Sequence, residues 1–130
     1  MSAIELARLD HFVMPCKDVE TISDFYVSLL GMRRVVAGNG RVALHYGEQK
    51  INLHRAGQES VIRAFNHLSG TQDFCLIVKT PVAEAKAFLE ANGVAVIEGP
   101  VTREGALGRM TSIYFRDPED NLVELANYPD

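Results

Sequence analysis

Four residues far apart in the chain have side chains that could share one piece of chemistry: His11, His54, Asp73 and Glu124. Two imidazoles and two carboxylates suit a divalent ion such as Mn²⁺, Fe²⁺, Ni²⁺, Zn²⁺ or Co²⁺. The two negative charges would balance it. Glu124 is the most telling. It stands in the middle of the apolar run Leu122-Val123-Glu124-Leu125-Ala126. A carboxylate there is costly unless it is paired or holds a cation; otherwise it faces outward on an edge strand. His11 lies near the centre of RLDHFVMPC and shares a face with Leu9 and Val13 by the strand period of two. Its bland alternative is a core histidine bonded to a backbone carbonyl. Asp73 lies near the start of TQDFCLIVK and could instead form a turn. His54 closes GEQKINLH, with Asn52 on the same face as a competing ligand. An ion with open coordination positions polarises a carbonyl or binds two adjacent oxygens.

Other side chains are weaker candidates. Tyr114 could face a cavity as a hydrogen-bond donor, against ordinary core packing. Arg103 and Arg109 flank a glycine-bearing stretch and could recognise an anionic substrate through charge-assisted hydrogen bonds. Cys75 shares a face with Asp73 and reads as a structural thiol. His45 lies opposite the apolar face of its strand, and His67 falls in a polar connector without a pattern.

The elements that must position these residues come in two sets. The first has a strand over residues 8–16 and a helix from Asp18, a plausible N-cap. Val19, Ile22, Tyr26, Leu29 and Leu30 form its apolar stripe, and Gly31 ends it. Strands over 32–37, 41–46 and 49–54 follow. Residues 55–70 are polar and aperiodic, with room for one helical turn. The second set has a strand over 71–78 and a helix with Thr80 as N-cap and Pro81 at its first position. Val82, Ala85, Phe88 and Leu89 form its stripe, ended by Gly93. A strand over 94–98, a long loop over 99–109 and a strand over 110–116 come next. Asp117-Pro118 then opens a turn that Asp120-Asn121 completes, and the last strand starts at Leu122.

The halves repeat in register. His11 plus 62 falls on Asp73, and Gly31 plus 62 falls on Gly93. The expected organisation is one domain over 1–130, with module one at 7–56, a connector at 57–70 and module two at 71–128. Two such modules about a pseudo-two-fold axis would bring positions 11 and 73 together.

Composition bounds the alternatives. The chain has 130 residues, 47% of them hydrophobic and 23% charged, an ordinary globular balance. The net charge of −4, without a basic cluster, argues against nucleic acid or an anionic membrane as partner. No apolar run reaches the ~20 residues of a membrane span. There is no signal-peptide pattern, and the two cysteines, Cys16 and Cys75, make no disulfide framework. A cytoplasmic location is expected.

The stretches LDHFVM, DFYVSLLGM, INLH, DFCLIV and RDPEDNLVEL, in this order and spacing, resemble the vicinal oxygen chelate superfamily. That superfamily includes glyoxalase I, bleomycin- and fosfomycin-resistance proteins and extradiol dioxygenases. KINLH and EGPV are similar to stretches of the proteins called glyoxalase domain-containing protein 5. The resemblance implies an α+β, glyoxalase-like fold: two βαβββ modules in a cupped, partly open barrel, assembled as a homodimer. It implies a divalent metal held by residues of the first and last strands of each module, His11 and Glu124 among them. It implies a lyase, isomerase or dioxygenase acting on a small substrate, with Glu124 able to leave the metal and take a proton. The alternatives are a metal-free sequestering protein of the bleomycin-resistance kind and a regulatory dimer with a degenerate site. The chain departs from glyoxalase I in having Asp73 for His, Asn52 for Glu, and Asp120 for the usual turn glycine.

Overall fold

The computed structural model of the chain describes residues 3–58 and 62–130. The fold is α+β and built of two compact units, Met1–Leu68 and Ser69–Asp130. The first contains β1 (His11–Cys16), α1 (Val19–Leu30), β2 (Arg33–Val36), β3 (Val42–Tyr46) and β4 (Gln49–Arg55). The second contains β5 (Asp73–Ile77), α2 (Val82–Ala91), β6 (Val96–Gly105), β7 (Gly108–Arg116) and β8 (Leu122–Asn127). Each unit folds one four-stranded mixed sheet, ordered β1-β4-β3-β2 and β5-β8-β7-β6. In both, the first strand runs parallel to the last and the remaining pairs are antiparallel. A helix between first and second strands supplies the crossover that a parallel pair needs. The βαβββ pattern read from the sequence is therefore a duplicated topology.

Alternation places the core. In the first unit Met14, Cys16, Leu44, Ile51 and Leu53 are buried. They share the sheet face that meets Ile22, Ser23 and Tyr26 of α1. In the second, Ile113, Phe115, Val123 and Leu125 are buried under Val82, Ala85 and Leu89 of α2. Each fully buried Val, Leu, Ile, Phe or Met among them contributes about 1.5–3 kcal/mol of burial. Pro15 is accommodated because β1 ends its sheet's strand order, where a missing N–H breaks fewer ladder bonds. Asp18 caps α1 as expected, accepting the Thr21 N–H at 3.1 Å, and Gly31 closes it at φ 67°. At Asp117–Asn121, the buried Asp117 carboxylate accepts the backbone N–H of Glu119 and Asn121 and the Asn121 side-chain amide. Asp120 takes the left-handed conformation there, at φ 67°.

Several expectations are corrected. His11 is the first residue of β1, not its centre. Thr80 does not cap α2. Pro81 is the N-cap and has no side chain to offer, so Asn127 of β8 accepts the Val82 N–H at 2.8 Å. The Asn127 amide also donates to the carbonyls of Val78 and Thr80. Phe88 is half exposed rather than part of the core stripe. The stretch 99–109 is not a loop: β6 and β7 continue through it as a long hairpin, Arg103 opposite Met110 and Glu104 opposite Arg109. Its glycines and proline suggested a break, but they serve an irregular ladder. The register shifts between Glu98 and Val101, where a Cβ on Gly99 would meet the Ser112 carbonyl and Ile113. Residues 59–61 of the expected connector lie outside the described residues; its described remainder holds neither helix nor strand.

Candidate functional site

The chemistry-bearing side chains stand on the face of each sheet turned away from its helix. Period two fixes this, because the alternate residues are the apolar ones packed on α1 and α2. In the first unit, register aligns the face in rows. His11, Lys50, His45 and Arg33 form one row across β1, β4, β3 and β2. Val13, Asn52, Ala43 and Val35 form the next. Pro15 and His54 pair beyond them.

This register separates two expected partners. His11 and His54 are four residues apart along the β1–β4 pair, roughly 13 Å at ~3.3 Å per residue. Asn52 is only two residues from the His11 row. The two units clarify the choice further. Asn52 pairs with Val13 and Glu124 pairs with Cys75, and Val13 and Cys75 occupy equivalent places in β1 and β5. Asn52, not His54, is thus the topological counterpart of Glu124, as His11 is of Asp73.

His11 donates its Nδ1–H to the Asp10 carboxylate at 2.8 Å. This bond holds the Asp10 carboxyl below the usual carboxylate range, with Arg8 a lesser influence. It also fixes the ring tautomer and leaves Nε2 for another partner, the arrangement that orients metal-ligating histidines. Asp10 precedes His11 directly, so the pair is legible in the sequence itself. His54 is half-buried, and its protonation is disfavoured by desolvation first and then by Arg41 and His67. The His54 and His67 rings lie 6.1 Å apart. His67, which no sequence pattern singled out, is buried, and both its carbonyl and its Nδ1 accept from the Gly57 N–H. It pins the connector to the end of β4. His45, assigned to the side opposite the apolar face, is there, and that side is the one bearing His11 and Asn52.

In the second unit the matching face carries Asp73, Cys75, Glu124, Tyr114, Glu98 and Arg103. Asp73 is exposed at the start of β5. Glu124 is partly buried on β8, and its Oε2 is buried without a hydrogen-bond partner. Tyr114 is directly opposite it on β7. The Arg103 Nε donates to the Tyr114 hydroxyl at 3.2 Å, and its guanidinium lies 5.5 Å from the ring centroid. Arg103 also approaches Glu98 at 3.7 Å. The Tyr114 phenol is pushed up, by desolvation first, with Arg103 opposing and the nearby Glu124 carboxylate adding to the rise. The Cys75 thiol is pushed up to about 11 by desolvation and the Glu124 charge, so it stays protonated and unreactive near neutrality. Arg109 is exposed on the opposite side of the hairpin from Arg103, across from Glu104.

Two of the donors have features that a metal would use. A buried carboxylate oxygen with no partner, as at Glu124, is an acceptor that a cation would satisfy. The oriented imidazole of His11 is a ready nitrogen donor. Among the described residues no three His, Cys, Asp or Glu side chains form one metal-binding group. None of the described helices is long and apolar enough to cross a membrane.

The sequence matches the family described as Glyoxalase/Bleomycin resistance protein/Dioxygenase superfamily over residues 8–125. It is 45% identical to a glyoxalase domain-containing protein, RDO1, of Mycosarcoma maydis over 127 residues, covering 98% of this chain and 72% of that protein. Its fold is similar to an integron cassette protein from the mobile metagenome of V. cholerae, with a TM-score of 0.93 and 44% identity, covering 98% of this chain and 99% of the other. It is also similar to a lactoylglutathione lyase from Agrobacterium tumefaciens, with a TM-score of 0.73 and 25% identity over 94% of each chain. With its duplicated βαβββ topology and a family match spanning both units, this chain belongs to the glyoxalase/bleomycin resistance protein/dioxygenase superfamily.

Proposed function

We propose that this protein is a metal-dependent enzyme of the vicinal oxygen chelate type, acting on a small substrate with adjacent oxygens. The observation that carries this reading is the buried, unpartnered Oε2 of Glu124. A carboxylate oxygen kept out of water without a donor is unfavourable in a protein that never supplies a cation or proton to it. The proposed ligands are His11, Asp73 and Glu124, with the Asn52 amide oxygen in place of His54. When bound, a divalent ion (Mn²⁺, Fe²⁺, Ni²⁺, Zn²⁺ or Co²⁺) supplies Lewis acidity toward neighbouring oxygens. Asp10 orients His11 for this role. Glu124 serves also as the proton acceptor, with Tyr114 directly across the strand pair from it. Arg103, tied to Tyr114 and Glu98, holds Tyr114. The likeness to glyoxalase domain-containing protein 5, a cytoplasmic location and a homodimer complete the proposal.

The test is metal content. Wild-type protein dialysed against each ion in turn and desalted should retain about one equivalent per chain by elemental analysis, and His11→Ala and Glu124→Ala should retain none. Failure of folded wild-type protein to retain any of the five ions overturns the enzyme reading. The second reading, a metal-free binding protein of the bleomycin-resistance kind, draws on the separation of His11 from His54. It would show instead as ligand-induced thermal stabilisation in the absence of metal.

A further inference from the structure

The chain is acidic overall, yet one cavity in it is not. On the helix-free face of the first unit lies a hollow of about 200 Å³, lined among others by Arg41, His45, Lys50, Asn52 and His54. No aspartate or glutamate lines it. The charges come from three strands: Lys50 and His54 from β4, His45 from β3, and Arg41 from the residue before β3. Lys50 stands directly opposite His45. Arg41 has no ion pair among the described residues. The acid that does act on Lys50, Asp10, is itself bonded to His11 and paired with Arg8 at 3.7 Å.

Two cations around a pocket of this size, in a protein of net charge −4, repel one another unless something negative sits between them, and the two imidazoles bring no negative charge. Guanidinium and ammonium groups are matched to carboxylate and phosphate oxygens by charge-assisted hydrogen bonds. The Asn52 amide and the imidazoles add neutral donors, which suit an anion of several oxygens. Partial shielding from solvent strengthens each contact.

We propose that this cavity binds the carboxylate or phosphate group of the substrate, held by Arg41, Lys50 and His45. The inference names the substrate class of the site proposed above and rests on that reading for its place in a reaction. It places His54, with His45, beside the substrate's anionic group and takes His54 away from metal binding.

The test uses the full chain without added metal. The histidine ring signals are followed by NMR during titration with inorganic phosphate and, separately, acetate, with sodium chloride at matched ionic strength as control. The His45 and His54 signals should shift to saturation with phosphate or acetate and not with chloride; which of the two saturates identifies the group preferred. Arg41→Gln and Lys50→Gln should each weaken the affinity about tenfold, as expected for one charge-assisted hydrogen bond. Both positions lie off the helix-packed core, so the variants fold. Glu124→Ala should bind the anion as wild type does, which separates failure of this inference from failure of the metal reading. Shifts that grow without saturating, or unchanged affinity in both the Arg41 and Lys50 variants, overturn it.

Discussion

Tyr114 stands directly across the β7–β8 pair from Glu124, and its hydroxyl accepts a hydrogen bond from the Arg103 Nε at 3.2 Å. Removing the hydroxyl leaves the Arg103 Nε without this acceptor. Tyr114→Phe is expected to lower stability by about 1 kcal/mol in urea unfolding, the usual net value of a hydrogen bond. A similar loss in Arg103→Met, and no further loss in the double variant, would show that the loss comes from this one pair.

Cys75 sets an alkaline limit. Its folded value of about 11 is above the ordinary value of 9.0. Above pH 9 the unfolded chain therefore gives up the proton first, and binds fewer protons than the folded one. The contribution of Cys75 to stability is full below pH 9 and is lost as pH rises through about 11. The fall should be smaller in Cys75→Ser, measured by thermal unfolding across this range. Alkylation of Cys75 by iodoacetamide should stay slow at pH 8 and accelerate through the same interval.

Asp10 is the lever on His11. Asp10→Asn weakens the carboxylate bond that orients the ring, and in the metal-enzyme reading it should reduce metal affinity by about 10–100-fold in competition titrations. The side chain is exposed, so the fold should be unaffected. Equal affinity in the variant and wild type would remove Asp10 from the site.

Asn127 caps a helix to which it does not belong. Asn127→Ala leaves the Val82 N–H and the carbonyls of Val78 and Thr80 without their partner. A loss of about 1–3 kcal/mol is expected by chemical denaturation. The conservative Asn127→Asp keeps the acceptor to Val82 but not the two donors, and should recover only part of it.

Local rules carried the sequence a long way. Asp18 and Gly31 bound α1 because capping depends on residues next to the helix itself. Asp117 to Asn121 make a turn because an aspartate carboxylate reaches amides two and four residues on. The duplicated strand-helix-three-strand order was legible because period and punctuation are local signals, and position 11 could be matched to 73 by counting alone.

What the chain could not state by itself was who stands opposite whom. Strand period divides each strand into two faces, but only pairing register puts Asn52 in the place equivalent to Glu124 and moves His54 away from His11. The stretch 99–109 looked like a loop because its glycines and proline discourage a lone strand; β7 alongside supplies the ladder that makes it one. Thr80 looked like a cap until Asn127, 47 residues later, took the task. The unpartnered oxygen of Glu124 and the cation-lined hollow beside His45 are likewise products of neighbours brought from elsewhere. Hydrogen bonds and charges act through space, so those features existed only once the tertiary fold had set the distances.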